Sequence, residues 1–236
     1  MKRLLPLTTV SALLALGTAH AALVTEVYGP SVVNLDIPDN QPVLTSFLES
    51  ISGSTITQLT EVTISFDLRG TSAGAGFASD IFASLIKSPV GVAPTGGDPS
   101  AILLNGVGIS GGDPVGFSYD GWNVTLSDTA ASDIHLEAVL SGVLTGTYQP
   151  DGRTGATDTL RPALLSAFIG GTGNGDWRFN VGDLADGGTM KLVNWTLTLT
   201  GDNSLAAVPE ASTWAAVLGL AAVTGASWWR ARRQAK

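Results

Sequence analysis

The feature that most restricts the fold of this chain is a two-residue alternation of apolar and polar side chains between Val32 and Gly201. The alternation is clearest in four segments, 62–68, 122–126, 177–181 and 193–199. A period of two places one face of a strand against a core and leaves the other face in water. The pattern therefore predicts antiparallel strands that are packed on one side.

Turn-forming clusters separate these segments and complete the prediction of fold class. They are Pro38-Asp39-Asn40, Gly96-Gly97-Asp98-Pro99, Gly111-Gly112-Asp113-Pro114 and Asp186-Gly187-Gly188. Helical periodicity is absent from the region, and a content of 29 glycines with only 14% charged residues is typical of a β-rich chain. We expect an all-β domain, a jelly-roll-type β-sandwich over residues 35–201, after an N-terminal lead-in at 22–34. Trp122, Trp177 and Trp195 are in phase with apolar neighbours, which favours core positions over a sugar-stacking surface.

Several motifs of this region resemble those of a known domain family. They are Ile37-Pro38-Asp39-Asn40-Gln41-Pro42, Ser79-Asp80-Ile81, Ser88-Pro89-Val90-Gly91, and the stretch from Asn174 through Trp177 to Asp183 followed by Gly188 to Leu199. Together they resemble the P domain (homo B domain) that follows the catalytic domain of subtilisin-like proprotein convertases and their bacterial relatives. Ser79-Asp80-Ile81 replaces the family's Gly-Asp-Leu, and a glycine-rich insertion at 70–76 stands where the family often has a histidine. The resemblance implies an accessory module that stabilises, positions or binds, without proteolytic activity of its own.

The N-terminus has the three parts of a secretory signal. A positively charged start, Met1-Lys2-Arg3, precedes an apolar run at 4–16, and small residues follow at Ala19 and Ala21. The apolar run is shorter than the ~20 residues that cross a bilayer, so a membrane anchor is the less favoured alternative. We expect residues 1–21 to be a signal peptide that is cleaved after Ala21.

The C-terminus predicts a single transmembrane helix. Residues 213–229 are uncharged and just long enough to span a bilayer, with tryptophans near both ends. Arg230, Arg232 and Arg233 follow within a basic tail at 230–236. Because basic flanks remain cytoplasmic, we expect the β domain on the opposite side of the inner membrane.

A linker at 202–212 places the motif Pro209-Glu210-Ala211 directly before this helix. The motif, the helix and the basic end together resemble the PEP-CTERM sorting signal that exosortases recognise, with Ala211 in place of the second proline. The resemblance implies an exosortase-like processing partner and transient membrane anchoring, followed by release to the cell surface or extracellular matrix. A plain tail anchor is the alternative.

Charge and cysteine content exclude some kinds of partner and site. Residues 22–203 contain six basic and nineteen acidic side chains, a balance of −13. Such a surface repels nucleic acid and anionic lipids, so we expect no nucleic-acid partner. The absence of cysteine excludes disulfides and thiolate metal sites.

Two serine motifs suggest hydrolase chemistry but lack its other requirements. Ser72 has no upstream histidine except His20, which leaves with the leader. Ser110 lies in a Gly-x-Ser-x-Gly motif that works on a strand-to-helix turn, yet Asp113-Pro114 follows and cannot begin a regular helix. We expect His135 to be a strand or loop residue with a satisfied hydrogen bond. The sequence therefore predicts no catalytic residues and no enzymatic activity.

A calcium site is one hypothesis for the acidic residues near the end of the domain. Asp176, Asp183 and Asp186 flank a turn-rich region, and Ca²⁺ prefers oxygen ligands. The glycine-rich segment 170–176 is similar to one copy of a calcium-binding nonapeptide, but a single copy cannot stack, so we expect a hairpin loop. Solvated turn carboxylates are the alternative to a structural Ca²⁺.

Two functions are consistent with these observations. The first is an exported, non-catalytic surface module that binds or helps to build an exopolysaccharide matrix. The second is an accessory partner of a separate subtilisin-like protease, as the P-domain resemblance implies.

Overall fold

The computed structural model describes residues 22–71, 78–118, 120–138 and 142–203. Several features predicted from sequence lie outside the described residues. They are the signal peptide with Ala19 and Ala21, Ser72, the motif Pro209-Glu210-Ala211, the predicted transmembrane segment 213–229, and the basic residues Arg230, Arg232 and Arg233. Among the described residues, no helix has the length and apolar character needed to cross a membrane.

The described residues form strands joined by turns and loops, which confirms the all-β prediction. The strands are β1 (Ala22–Ile37), β2 (Thr45–Ile51), β3 (Gln58–Gly70), β4 (Ile81–Ser88), β5 (Ser100–Asn105), β6 (Gly121–Leu126), β7 (Val143–Tyr148), β8 (Gly175–Asp183) and β9 (Met190–Asn203). Within these residues, helical structure is limited to two short 3-10 helices, Ile134–Leu136 and Leu165–Phe168. The four alternating segments lie in β3, β6, β8 and β9.

The strands assemble into two sheets. One has the order β1-β9-β3-β6-β7 and the other β2-β8-β4-β5. Neighbouring strands pair antiparallel, as predicted, except that β6 and β7 are parallel. Sixteen residues separate the end of β6 at Leu126 from the start of β7 at Val143, and a parallel pair needs a crossover of a dozen or more residues.

One hydrophobic core lies between the two sheets, which makes the domain a β-sandwich. Phe179 of β8 packs at 5.4 Å from Phe66 of β3 and at 5.6 Å from Trp195 of β9, measured between ring centroids. The tryptophans Trp122, Trp177 and Trp195 are at most 2% exposed. Their predicted core positions are therefore confirmed.

The N-terminal boundary of the sandwich differs from the expectation. The expected lead-in at 22–34 belongs to β1, the edge strand that pairs with β9 from Ala22 onward. The pairing shifts register between Tyr28 and Ser31 and again between Val32 and Leu35, and Asn34 has a φ of 47°. These irregularities break the two-residue period, so the alternation does not mark the strand.

Candidate functional site

The three aspartates predicted to share a calcium ion do not form one site. Asp176 and Asp183 lie at opposite ends of β8, about 23 Å apart at roughly 3.3 Å per residue. Asp186 is exposed in the loop after β8. Asp176 and Asp183 are separated by the length of a strand, whereas a helix or a tight loop would have brought their carboxylates together. The predicted grouping of these three residues is therefore wrong.

Asp176 is fully engaged by its neighbours on the outer face of the second sheet. Its carboxylate accepts hydrogen bonds from the Ser50 hydroxyl at 2.6 Å, the Gly91 amide at 3.0 Å and the Arg178 guanidinium at 3.3 Å. The hydrogen bond from Ser50, followed by the Gly91 amide and the Arg178 charge, lowers the pKa of Asp176. These contacts tie β2 and the loop after β4 to β8, which is a structural role.

The glycine-rich segment before Asp176 connects the 3-10 helix Leu165–Phe168 to β8. It is a loop, as predicted, but it does not join two strands of a hairpin. Within it, the Gly173 carbonyl accepts a hydrogen bond from the Trp177 indole at 3.1 Å. The segment therefore closes one end of the core.

Asp183, at the other end of β8, has two acidic neighbours. Asp39 lies in the turn after β1, and Asp80 immediately precedes β4, which pairs with β8. Two backbone hydrogen bonds fix this end: the Gln41 amide donates to the Asp183 carbonyl at 2.9 Å, and the Leu184 amide donates to the Asp80 carbonyl at 2.8 Å. We call Asp39, Asp80 and Asp183 the carboxylate cluster.

The carboxylate cluster has unusual electrostatics. Asp183 is 2% exposed, and the Oδ1 atoms of Asp183 and Asp39 are both buried with no hydrogen-bond partner among the described residues. Burial, reinforced by the charges of Asp39 and Asp80, raises the pKa of Asp183 to about 7. Burial also raises the pKa of Asp80, with a further contribution from Asp39. Two donors reach the cluster, the Ser79 hydroxyl at 3.0 Å from Asp80 Oδ1 and the Ala185 amide at the Asp183 carboxylate. The Oδ1 atoms of Asp39 and Asp183 are left without a donor among the described residues.

The described parts of the chain contain no group of three or more histidine, cysteine, aspartate or glutamate side chains already arranged to hold a metal ion. The carboxylate cluster, with its side chains in their present orientations, is therefore not such a group.

A second buried polar group surrounds His135. Its Nδ1 lies 2.8 Å from Asp151 Oδ2, and its Nε2 lies 3.0 Å from the Ile109 carbonyl oxygen. The Arg153 guanidinium bridges Asp151 at 3.0 Å and Asp133 at 2.8 Å. Both ring nitrogens of His135 therefore face acceptors, which favours the doubly protonated ring.

The pKa of His135 reflects this arrangement. Burial alone lowers the pKa of an imidazole, but the hydrogen bonds to Asp151 and to the Ile109 carbonyl outweigh burial and raise the pKa of His135 above its ordinary value of 6.5. The prediction of satisfied hydrogen bonds is confirmed, but His135 lies in the 3-10 helix Ile134–Leu136 rather than in a strand or loop. A general base needs a free ring nitrogen, and neither nitrogen of His135 is free.

Ser110 takes part in a turn. Its hydroxyl oxygen accepts hydrogen bonds from the Gly112 amide at 3.3 Å and the Asp113 amide at 3.0 Å. Where the structure describes the chain after Ser110, the next regular element is β6 and not a helix. The geometry lacks the strand-to-helix turn on which a Gly-x-Ser-x-Gly nucleophile depends.

The described surface includes two grooves. One, of about 310 Å³, runs beside β1 and includes Leu23, Glu61 and Ile169 in its lining. The other, of about 350 Å³, includes Lys87 and Asp98. The Lys87 ammonium donates a 2.6 Å hydrogen bond to the Thr172 carbonyl and lies 5.4 Å from the Trp177 ring, so it is already engaged. Neither groove brings together a set of reactive groups.

Sequence reasoning missed Asp39 and Asp80 as neighbours of Asp183. Each lies at the boundary between a turn and a strand, a position where aspartate is ordinary. Their proximity arises from the pairing of β4 with β8 and from the turn after β1, which spacing along the chain does not reveal.

No family model matches the chain, and no curated protein matches it. Among solved structures, the chain is similar to the serine protease of Aeromonas sobria and to the complex of an Aeromonas sobria serine protease with the chaperone ORF2. In both comparisons the sequence identity is 17% and the TM-score is 0.42. The similarity covers 79% and 78% of this chain, respectively, and the chain spans 28% of the length of each matched chain.

Proposed function

We propose that this protein is an exported, non-catalytic β-sandwich module of the cell envelope, which binds or helps to build an exopolysaccharide matrix. The observation that carries the non-catalytic part is the engagement of His135, whose two ring nitrogens bind Asp151 and the Ile109 carbonyl. His135 is the single histidine beyond the predicted leader, and it cannot serve Ser110 as a base while it holds these contacts.

The position of β1 is compatible with cleavage after Ala21. Its first residue, Ala22, directly follows the predicted cleavage site after Ala21 and already pairs with Asn203 of β9. Cleavage there would leave the folded domain intact. In this proposal an exosortase-type enzyme then acts at Pro209-Glu210-Ala211, before the predicted membrane helix at 213–229.

The charge of the domain favours an uncharged ligand. Each of the six basic side chains within residues 22–203 is engaged, five of them with aspartates and Lys87 with a carbonyl. The same range contains nineteen carboxylates, so the domain repels polyanions. A neutral polysaccharide is compatible with this surface.

A second candidate is an accessory partner of a subtilisin-like protease. The motif segments that resemble a P domain are far apart in sequence, yet Asp39, Asp80 and Asp183 lie at one end of the sandwich. This convergence favours a single shared motif over three chance similarities. It leaves the partner to be found by experiment.

Binding and hydrolysis assays on the purified full chain test the proposal. We expect retention on insoluble exopolysaccharide from the producing cells and no hydrolysis of ester or peptide substrates by the wild type, by Ser110→Ala or by the control Ser100→Ala. Hydrolysis that disappears in Ser110→Ala alone would overturn the non-catalytic assignment. Specific capture of a subtilisin-like protease, with no polysaccharide retained, would favour the second candidate.

A further inference from the structure

We propose that the carboxylate cluster, Asp39, Asp80 and Asp183, is a binding site for one divalent cation, and that the cation is Ca²⁺. The site differs from the grouping expected from sequence, because Asp176 and Asp186 take no part in it.

One carboxylate oxygen of Asp183 and one of Asp39, the Oδ1 atom in each case, are buried and lack a donor among the described residues. An unsatisfied buried acceptor is costly, more so when it belongs to a charged group. Two such oxygens at one end of the sandwich indicate a shared positive partner.

No basic side chain of the described domain supplies this partner. Within residues 22–203, the arginines and Lys191 pair with Asp36, Asp67, Asp133, Asp151 and Asp176, and Lys87 binds a carbonyl. Acidic groups that repel one another, with no internal counterion, are stabilised by an external cation.

The supporting backbone is rigid. The Gln41 amide binds the Asp183 carbonyl, the Leu184 amide binds the Asp80 carbonyl, and β4 pairs with β8 up to Ile81 and Asp183. The side chains as they stand do not surround one point, so binding requires them to rotate about their χ angles on this fixed frame. Ca²⁺ tolerates variable oxygen geometry, whereas Mg²⁺ demands a near-ideal octahedron. This favours Ca²⁺.

Thermal unfolding of the full chain, stripped of metal with a chelator and then titrated with CaCl2, tests the site. With free Ca²⁺ at about a hundred times its Kd, we expect the Tm to rise by about 5–10 °C. Calorimetric titration should give one bound Ca²⁺ per chain. Mg²⁺ at equal concentration should give a smaller shift in Tm.

Substitutions separate the site from general screening of charge. Asp183→Asn and Asp39→Asn should each weaken Ca²⁺ binding at least tenfold and abolish most of the shift in Tm. Without metal, Asp183→Asn should melt above the wild type, because it removes a repelled buried carboxylate. The matched control, Asp186→Asn, alters an exposed carboxylate three residues away and should keep the full response to Ca²⁺.

Two results would overturn the proposal. One is a wild type whose Tm does not respond to Ca²⁺, and stabilisation of that protein by acidification alone would show that a proton shared among the carboxylates replaces the cation. The other is an equal response to Ca²⁺ in Asp39→Asn, which also serves if Asp183→Asn fails to fold. Neither result depends on export or on polysaccharide binding.

Discussion

His135 and Asp151 are the most deeply buried ion pair of the described domain, with side chains 5% and 0% exposed. Their burial is tolerated because every polar atom of the pair has a partner: the Ile109 carbonyl for Nε2, and Arg153 and the Asn105 amide for the carboxylate. A buried pair of this kind stabilises a fold only while it stays complete. The network therefore has consequences for stability that can be measured.

The His135 network predicts a pH dependence of stability. Because the folded pKa of His135 is raised above 6.5, its contribution is fully present below the unfolded pKa and is lost as pH rises through the folded pKa. Urea unfolding measures the free energy of unfolding of the wild type and of His135→Gln. The advantage of the wild type should be about 1 kcal/mol larger at acidic pH than at alkaline pH, since hydrogen bonds to charged groups are stronger.

The comparison uses the difference between the two pH curves, which cancels the titration of Asp183 because both proteins contain it. The charged groups that face His135 are Asp133, Asp151 and Arg153. A difference in unfolding free energy that grows with rising pH would contradict the charged state assigned to His135.

Gly121 occupies a position where we expect no side chain to be tolerated. Its φ is +137°, and a Cβ atom there would lie 2.2 Å from the Leu68 carbonyl oxygen. Gly121→Ala should therefore lower the free energy of unfolding by about 2 kcal/mol or more, measured by urea denaturation. Gly53→Ala, where a Cβ would meet nothing within 4 Å, is the matched control and should change stability by less than about 0.5 kcal/mol. Equal effects of the two substitutions would refute the packing of β6 against β3.

Residues were predictable from sequence where their role depends on local pattern. The phase of Trp122, Trp177 and Trp195 with their neighbours was enough to place them in the core. The carboxylate cluster was not predictable in this way, because its members come from a turn, a strand start and a strand end far apart in sequence. Local spacing carries no information about such pairs.

At the scale of elements, β8 connects the two halves of the core. Phe179 contacts Phe47 of the same sheet and Phe66 and Trp195 of the opposite sheet. The ring centroids lie 5.4–6.3 Å apart in tilted pairs, within the distance range of interacting aromatic side chains. Loss of this ring removes contacts to three other rings at once.

Phe179→Ala should lower the free energy of unfolding by about 3–5 kcal/mol, because it leaves a cavity between the sheets. Chemical denaturation followed by tryptophan fluorescence measures the change. The control is Leu48→Ala on the neighbouring strand β2, whose side chain is 53% exposed, and we expect a loss below about 1 kcal/mol. A small effect of Phe179→Ala would mean that the sheets do not pack through this ring.

The alternation of apolar and polar residues predicted β3, β6, β8 and β9, but it did not predict the other strands. In β4, residues on both faces are buried, including Ala83, Ser84 and Leu85, so the two-residue period disappears. In β7 only Leu144 is buried and three residues are exposed, so the pattern of apolar residues is weak. The parallel pairing of β6 with β7 is a long-range contact, which hydrophobic pattern does not specify.

At the scale of the whole molecule, acidic charge is the dominant electrostatic feature. Residues 22–203 have a balance of −13, and all six basic side chains in that range are engaged. Unpaired carboxylates repel one another across the surface, and salt screens this repulsion within a Debye length.

Raising KCl from about 20 mM to about 500 mM should therefore raise the Tm by a few degrees, since the Debye length falls several-fold over that range. A chelator keeps divalent cations out of the comparison. Asp186→Lys, which reduces the negative charge without touching the core, should show a smaller salt response. A Tm that falls with added KCl would indicate that attractive ion pairs outweigh the repulsion.

We propose that the acidic β-sandwich is delivered beyond the inner membrane and acts there without catalysing a reaction. Intact-mass measurement of the protein from fractionated cells tests delivery most directly. We expect an envelope or matrix fraction in which the N-terminus is Ala22 and the C-terminus lies near Pro209-Glu210-Ala211, without residues 213–236. A chain that begins at Met1, retains Lys236 and is recovered from the cytosol would contradict the account.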